Sequence, residues 1–155
     1  MRYLACLVLS LALAACTSPD RCAATDPSNP ATETFDPSLN INLATWTKTA
    51  SGVYEQDVVV PTDGETLTSP TNVSVYYVAY LPNGSVVDQQ LQQPFTFDLR
   101  TNAAFGIVDG MMGMKVGGRR RLVVPSDLAL GACGKGPIPP NSTLVYEIEL
   151  LAINP

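Results

Sequence analysis

The amino-acid sequence predicts an α+β domain in which one antiparallel β-sheet is covered by a single short helix. Two observations carry this prediction. Apolar and polar side chains alternate with a period of two at residues 73–81 and 143–153, as they do in strands with one buried face. Only residues 105–114 suit a helix, and Gly117-Gly118 follows them as a stop signal.

The strands are predicted from their composition and from the residues that end them. The first covers residues 53–60 and ends at Pro61, and residues 62–65 form a turn. The alternating strand that follows leads into a Pro-Asn-Gly turn at residues 82–84. Residues 94–99 then form another short strand, so the first half of the sheet is built from neighbouring antiparallel strands.

The second half of the sheet follows the predicted helix. Three methionines, at positions 111, 112 and 114, are expected to form the core face of that helix. Residues 119–124 form a strand that ends at Pro125, and a loop rich in Gly and Pro follows. The last strand, residues 143–153, places apolar side chains on one face. These are Leu144, Tyr146, Ile148 and Leu150.

Composition excludes several classes of function. The chain has 155 residues, which suits one domain, and its net charge of −5 argues against binding to nucleic acid. It contains no histidine, the commonest general base and metal ligand. Hydrolases of the Ser-His-Asp and Cys-His types and most zinc sites are therefore excluded, and we expect no metal.

The first residues resemble an export signal. Arg2 precedes an apolar run that ends at residue 15, shorter than the ~20 residues that a transmembrane helix needs. The run ends in Leu-Ala-Ala-Cys16, which resembles a bacterial lipobox. The resemblance implies that residues 1–15 are a signal peptide cleaved before Cys16, whose sulfur then carries a lipid. An ordinary signal peptide, cleaved at the same small residues, is the alternative.

This resemblance also implies a location. The protein would be exported and lipid-anchored to the cell envelope. In a Gram-negative host Thr17, which is not an aspartate, favours the outer membrane facing the periplasm.

Residues 16–45 are rich in Pro, Ser and Thr and predict a flexible tether, although Leu39 and Trp46 suggest where docking begins. The folded domain is expected at residues 46–155.

Two cysteines remain for the exported protein. Cys6 leaves with the signal peptide and Cys16 carries the lipid, so Cys22 and Cys133 are left in an oxidising compartment. They form either one disulfide between the N-terminal segment and a distant loop or two independent thiols. Their spacing does not decide between these alternatives.

Four blocks of sequence follow one another along the chain: VYYVAYLPNGSVVD at residues 75–88, PFTFDL at 94–99, GMMGMKVGGRRRL at 110–122 and GACGKGPIPPNSTL at 131–144. In this order they resemble blocks of the FKBP-type peptidyl-prolyl isomerases, and the third is similar to that family's G-L-x-G-M-K-V-G-G-K-R-R-L. The chain is similar to this family over residues 50–155. The resemblance implies an FKBP-like antiparallel sheet of five or six strands wrapped around one short helix.

The resemblance also implies the residues of a binding cleft. Tyr77 and Asp88 match the polar pair that orients carbonyl or hydroxyl groups of a ligand, and Phe95 and Tyr146 match aromatic walls. Ala104 matches a position whose backbone N–H donates to the ligand. The implied substrate-binding positions are Val87, Ala103, Ala104, Ile107, Leu130 and Pro137.

Four of the cleft positions differ from the family pattern, and three of them lack its aromatic ring. Val87, Ile107 and Leu130 stand where the family usually has Phe, Trp and Tyr, and Tyr146 replaces the usual Phe. Because each aromatic side chain contributes a large contact area, these replacements predict a shallower cleft and reduced activity.

The implied function is cis–trans isomerisation of X–Pro bonds in exported or envelope proteins, without a cofactor. Rotation about an amide breaks no bond and requires no imidazole, which agrees with the composition. The implied partners are proline-containing polypeptides, weakly bound macrolide immunosuppressants and a membrane held through the lipid; the chain is expected to be a monomer. The alternative is a catalytically weak, chaperone-like binding module on the same fold.

Overall fold

A computed structural model of the chain describes Cys22, residues 26–101 and residues 103–154. The predicted signal peptide and the lipobox with Cys16 lie outside the described residues, and both stay predictions.

Six antiparallel strands and one α-helix make up the described part of the domain, which confirms the predicted α+β architecture. The strands form one sheet in the order β1-β2-β5-β6-β3-β4. Their bounds are β1 Thr47–Lys48, β2 Tyr54–Val59, β3 Asn72–Tyr80, β4 Val86–Asp98, β5 Arg119–Val124 and β6 Leu144–Asn154. The helix, α1, covers Phe105–Met111 and packs on the inner face of the sheet.

The inner face of the sheet follows from the period-two pattern. Along β3, Val73, Val75, Tyr77 and Ala79 are buried against the helix, and β6 contributes its alternating apolar residues to the same core. Met111 and Met114 lie in this core, as predicted, whereas Met112 is only partly buried. The core therefore joins the centre of the sheet to the helix and to the segment that follows it.

The helix is shorter than the predicted residues 105–114. It ends at Met111, because Met112 has a ψ of 139° and Gly113 a φ of 79°, so residues 111–114 form a turn closed by a hydrogen bond from the Met114 N–H to the Met111 carbonyl. Two glycines, four residues apart, allow the helix to lie directly on β5. A Cβ atom at Gly106 would come within 2.3 Å of Val124, and one at Gly110 within 2.6 Å of Leu122.

This close approach gives a prediction. We expect Gly110→Ala to lower the free energy of unfolding by about 1–3 kcal/mol, because the added methyl group overpacks the interface with the fully buried Leu122. Chemical denaturation measures the change. Gly113→Ala separates packing from backbone strain, because Gly113 has a φ of 79° and open space for a Cβ atom, whereas Gly110 is helical and crowded. A Gly110→Ala protein as stable as the original would contradict the packing argument.

Strand β4 is longer than the predicted residues 94–99. Its pairing with β3 shifts between Val75, opposite Phe95, and Tyr77, opposite Gln90, so residues 91–94 form a bulge. Strand β4 lies at the edge of the sheet and most of it is exposed, which explains why its N-terminal half carries polar residues that do not predict a strand.

Residues 26–45 differ from the flexible tether that their composition predicts. Three short 3₁₀ helices, Pro30–Thr32, Pro37–Leu39 and Leu43–Thr45, follow the outer face of the sheet. Leu39 and Trp46 are buried there against Val123 and Val145. The contact area with the sheet offsets the entropy of ordering the segment, which composition alone does not reveal.

Polar contacts also hold this segment in place. The backbone N–H of Ser28 donates to the Ser126 hydroxyl and that of Ser126 to the Ser28 hydroxyl, both at 2.8 Å. The buried Thr143 hydroxyl donates to the Ser28 hydroxyl at 2.8 Å. A disulfide joins Cys22 to Cys133, so the pairing that the spacing left open is present here.

Among the described helices, none has the length and hydropathy needed to cross a membrane.

Candidate active site

A cavity of about 400 Å³ lies between the inner face of the sheet, the start of α1 and the loop before β6. Every residue predicted for the cleft lines it, so residues up to 69 positions apart in sequence are brought together here. The predicted residues are Tyr77, Asp88, Phe95 and Tyr146, together with Val87, Ala103, Ala104, Ile107, Leu130 and Pro137.

A hydrogen bond occupies the polar end of the cavity. The Tyr77 hydroxyl, on β3, donates to Oδ2 of Asp88, on β4, at 2.7 Å. The pKa of Tyr77 is raised well above its usual value, first by burial and then by this hydrogen bond to the carboxylate. Tyr77 is therefore neutral and donates to Asp88, which fixes one carboxylate oxygen at the cavity wall.

Three aromatic rings form one side of the cavity. Tyr77 and Phe95 meet edge to face with their centroids 5.9 Å apart, and Phe97 lies 4.7 Å from Phe95 and 5.5 Å from Tyr77. Phe97 was not among the predicted cavity residues. The signal was present in the sequence, because Phe95 and Phe97 are two residues apart on one strand and therefore share a face.

Aliphatic side chains and one tyrosine form the rest of the wall. Ile107, on α1, is only 6% exposed, and Val87 and Leu130 complete the apolar lining. Tyr146, on β6, is 9% exposed. Burial, with a smaller contribution from the charge of Asp88, raises the pKa of Tyr146 to about 12. Its hydroxyl is therefore neutral at physiological pH.

The loop before β6 forms the rim. Lys135 and Ile138 face each other across an isolated antiparallel bridge, and they line the cavity with Gly136 and the predicted Pro137. Gly134 has a φ of 60°, and a Cβ atom on it would lie 2.3 Å from the Ile138 carbonyl oxygen. Lys135, Gly136, Ile138 and Ala79 are lining residues that the sequence analysis did not assign.

A second hollow, of about 440 Å³, lies on the outer face of the sheet. Its floor carries charged side chains, including the ion pair between Arg121 Nε and Glu147 Oε1 at 3.1 Å. A pyrrolidine ring requires apolar contacts, so the inner cavity is the better candidate site.

In the described part of the chain, no group of three or more His, Cys, Asp or Glu residues is arranged to hold a metal ion.

Comparison with known proteins agrees with this geometry. A family model described as FKBP-type peptidyl-prolyl cis-trans isomerase matches residues 64–151, more than half of the chain. The chain belongs to this family. The FKBP-type match includes the blocks at residues 75–88, 94–99 and 110–122, and it includes every predicted cavity residue.

Individual FKBP relatives are similar over the same region. The chain is 42% identical over 104 residues to FK506-binding protein 4 of Dictyostelium discoideum, covering 66% of this chain and 28% of that one. It is 41% identical over 85 residues to an FK506-binding protein of Neisseria meningitidis serogroup B, covering 52% of this chain and 78% of that one. The matched region thus spans about a quarter of the first relative and more than two thirds of the second.

Solved FKBP-type structures confirm the fold. A peptidyl-prolyl cis-trans isomerase from Pseudomonas syringae superposes with a TM-score of 0.65 at 36% identity, covering 71% of this chain and 81% of that one. The structure of AtFKBP13 gives a TM-score of 0.64 at 30% identity, covering 70% and 98%. The chain therefore has the FKBP-like fold that its motifs imply.

Proposed function

We propose that this FKBP domain accelerates cis–trans isomerisation of X–Pro bonds, with the proline ring seated in the inner cavity. One observation carries the proposal: the cavity is lined almost entirely by apolar and aromatic side chains, with the Tyr77–Asp88 pair as its polar end. A proline side chain is small and apolar, so the apolar lining suits the ring, and the fixed Asp88 carboxylate lies beside the polar amide groups that flank it.

The cavity lowers the barrier to rotation about the X–Pro bond because it excludes water from that bond. Rotation about an X–Pro bond costs ~18–20 kcal/mol because amide resonance is lost in the twisted state. A planar amide has a larger dipole than a twisted one, so removal of water destabilises the planar ground state more. The apolar wall formed by Ile107, Val87 and Phe95 excludes water around the bond without any nucleophile or general base.

The polar pair supplies orientation. Because Tyr77 donates to one oxygen of Asp88, the carboxylate is held at a fixed place on the cavity wall. A charged group at a fixed position favours one orientation of the substrate amide dipoles, which reduces the entropy lost in reaching the twisted state.

Removal of this carboxylate tests the proposal. We expect Asp88→Ala to lower kcat/KM for a proline peptide by about tenfold or more, the scale of one lost orienting contact. Phe95→Ala should have a similar effect, because it opens the apolar wall to water. Both rates are measured with the full chain in a proline-peptide exchange assay. Asp63→Ala, in an exposed turn outside the cavity, is the matched control and should leave the rate unchanged.

A catalytically weak binding module is the second candidate, favoured by the aliphatic lining at Val87, Ile107 and Leu130. In this case a proline peptide binds the cavity but exchanges slowly, because fewer aromatic contacts orient the ring. Titration of a labelled peptide separates the candidates. Binding without any acceleration over buffer supports the module and contradicts the isomerase, whereas acceleration that is lost in Asp88→Ala supports the isomerase.

We further propose that the domain acts on exported or envelope proteins and is held to a membrane by a lipid on Cys16. The motif Leu-Ala-Ala-Cys16 after a short apolar run supports this location. In a bacterial host, the mature protein should partition into the detergent phase and begin at a lipid-modified Cys16. Cys16→Ser should release it to the aqueous phase. A wild-type protein that is found only in the aqueous phase would contradict the anchor.

A further inference from the structure

The hydroxyl of Tyr146 is a polar group without a partner in an apolar cavity. Tyr146 is 9% exposed and lines the cavity, but no described residue forms a hydrogen bond with its hydroxyl. The other tyrosine of the cavity differs, because the Tyr77 hydroxyl is committed to Asp88. Among the described residues, Arg121 Nε is the only fully buried side-chain N or O atom without a hydrogen-bond partner, so the unpaired Tyr146 hydroxyl is open to the cavity and available to a ligand.

A bound substrate would supply the missing partner. We infer that the Tyr146 hydroxyl donates a hydrogen bond to a carbonyl group of the bound peptide, in addition to forming a wall of the cavity. Its raised pKa keeps the proton on the oxygen, as a donor requires. The inference rests on the proposed function and adds to it, because it identifies the donor on the β6 side of the cavity. The aliphatic Leu130 on the rim has no side-chain donor.

Tyr146→Phe tests this role, because it removes the oxygen and keeps the ring. We expect kcat/KM and the affinity for a proline peptide to fall about three- to tenfold, the loss of one hydrogen bond. The midpoint of chemical denaturation should change little, since the hydroxyl forms no hydrogen bond with a described residue. Tyr76→Phe, on the opposite face of β3 and outside the cavity, is the matched control and should change neither quantity.

The outcomes separate this inference from the proposed function. Equal peptide affinity in Tyr146→Phe and wild type, or a loss of stability that accounts for the lost affinity, would overturn the donor role. If no peptide exchanges faster than in buffer, the isomerase proposal fails, and peptide affinity alone still decides the donor role.

A second inference rests on the cavity rim. Lys135 and Ile138 exchange two backbone hydrogen bonds, each of 3.0 Å, so they are directly opposite and their side chains share a face. Ile138 packs against the core, which places Lys135 on the cavity side. No described residue forms a hydrogen bond or ion pair with its ammonium group. Asp88 and Lys135 are the only charged side chains that the structure places in the lining.

We propose that Lys135 makes the cavity select prolyl peptides with a carboxylate beside the proline. The protein has a net charge of −5, which repels acidic peptides in general, so this cation at the rim provides a local attraction. The two hydrogen bonds with Ile138 hold the backbone of Lys135 in place, and the preceding Gly134 packs closely against the Ile138 carbonyl. The inference rests on the proposed function and names its substrate class.

Peptides that differ by one charge test this selectivity. We expect a peptide with Glu immediately before or after the proline to exceed its Gln analogue about two- to fivefold in kcat/KM and affinity, at low ionic strength. In Lys135→Gln the ratio should fall to one or below, because Asp88 and the net negative charge remain. Lys48→Gln removes the same charge at the far edge of the sheet, outside the cavity, and should keep the wild-type ratio.

Selectivity that does not depend on Lys135 would overturn the inference. A ratio of one between Glu and Gln peptides at both positions in the wild type would overturn it. A ratio that Lys135→Gln leaves unchanged would do the same. Turnover of the Gln peptides with such a result would leave the isomerase proposal intact. Charge-dependent affinity without turnover would support the selectivity and contradict the isomerase.

Discussion

Replacement of Arg120 by alanine is expected to lower the free energy of unfolding by about 3 kcal/mol or more, among the largest effects of any single substitution in the domain. The side chain of Arg120 is 8% exposed. Its guanidinium donates to both carboxylate oxygens of Asp57, at 2.7 and 3.0 Å, and to Glu55 at 3.1 Å. It also donates to the carbonyl oxygens of Gly110 and Met112, at 2.9 and 3.0 Å.

These contacts explain the size of the effect. Helix α1 ends at Met111, so its last carbonyl groups have no helical partner, and the positive charge of Arg120 lies favourably at this end of the helix. Burial raises the pKa of Glu55 although Arg120 opposes the shift. Without the guanidinium, Glu55 and two carbonyl groups lose their partner in a place with little water.

Arg119→Ala is the matched control, because the neighbouring side chain is exposed on the other face of β5. Its change in the free energy of unfolding should stay within about 0.5 kcal/mol. Arg120→Lys keeps the charge but not the planar fork, so its stability should lie between those of wild type and Arg120→Ala. Equal effects of Arg119→Ala and Arg120→Ala in urea denaturation would contradict this account.

The sheet was predictable where one of its faces is buried. Strand β5 has the predicted bounds, and β3 and β6 agree to within one residue, because alternation of apolar side chains records burial directly. The N-terminal half of β4 was missed for the opposite reason. Residues 86–93 lie at an exposed edge and are held mainly by backbone pairing with β3, which leaves little trace in side-chain type.

Contacts between distant segments were not predictable in the same way. Residues 26–45 have no period, and their docking depends on Leu39 and Trp46 meeting Val123 and Val145 on the outer face. The guanidinium of Arg121 lies 5.3 Å from the centre of the Trp46 ring and donates to the carbonyl of Leu39, which completes this contact. A prediction from local composition cannot include a surface that exists only after the sheet has formed.

The candidate site contains some residues that the sequence predicts and others that it does not. Its predicted residues came from the family motifs. These motifs indicate that positions on β3, β4, α1 and β6 belong to one site, although the sequence gives no distances between them. Lys135 was missed because its place depends on a two-residue bridge within an irregular loop. The commitment of the Tyr77 hydroxyl to Asp88, which leaves Tyr146 as a free donor, is likewise a matter of geometry.

Loss of the disulfide is expected to lower the free energy of unfolding by about 2–4 kcal/mol. Cys22 and Cys133 are 111 residues apart, so the bridge closes a long loop and strongly restricts the unfolded chain. The double variant Cys22→Ser/Cys133→Ser tests this without leaving an unpaired thiol at either position. Chemical denaturation under oxidising conditions measures the change.

The same bridge connects stability to the cavity rim. Cys133 directly precedes Gly134 and Lys135, so the bridge anchors the rim loop to the N-terminal segment, which the contacts of Ser28 hold against Ser126 and Thr143. Because those contacts persist without the bridge, the double variant should still fold. Wild-type protein in reductant should match the double variant, whereas the double variant itself should not respond to reductant. Wild-type stability that is unaffected by reductant, together with free thiols at Cys22 and Cys133 in mass mapping, would show that the two cysteines are not bonded.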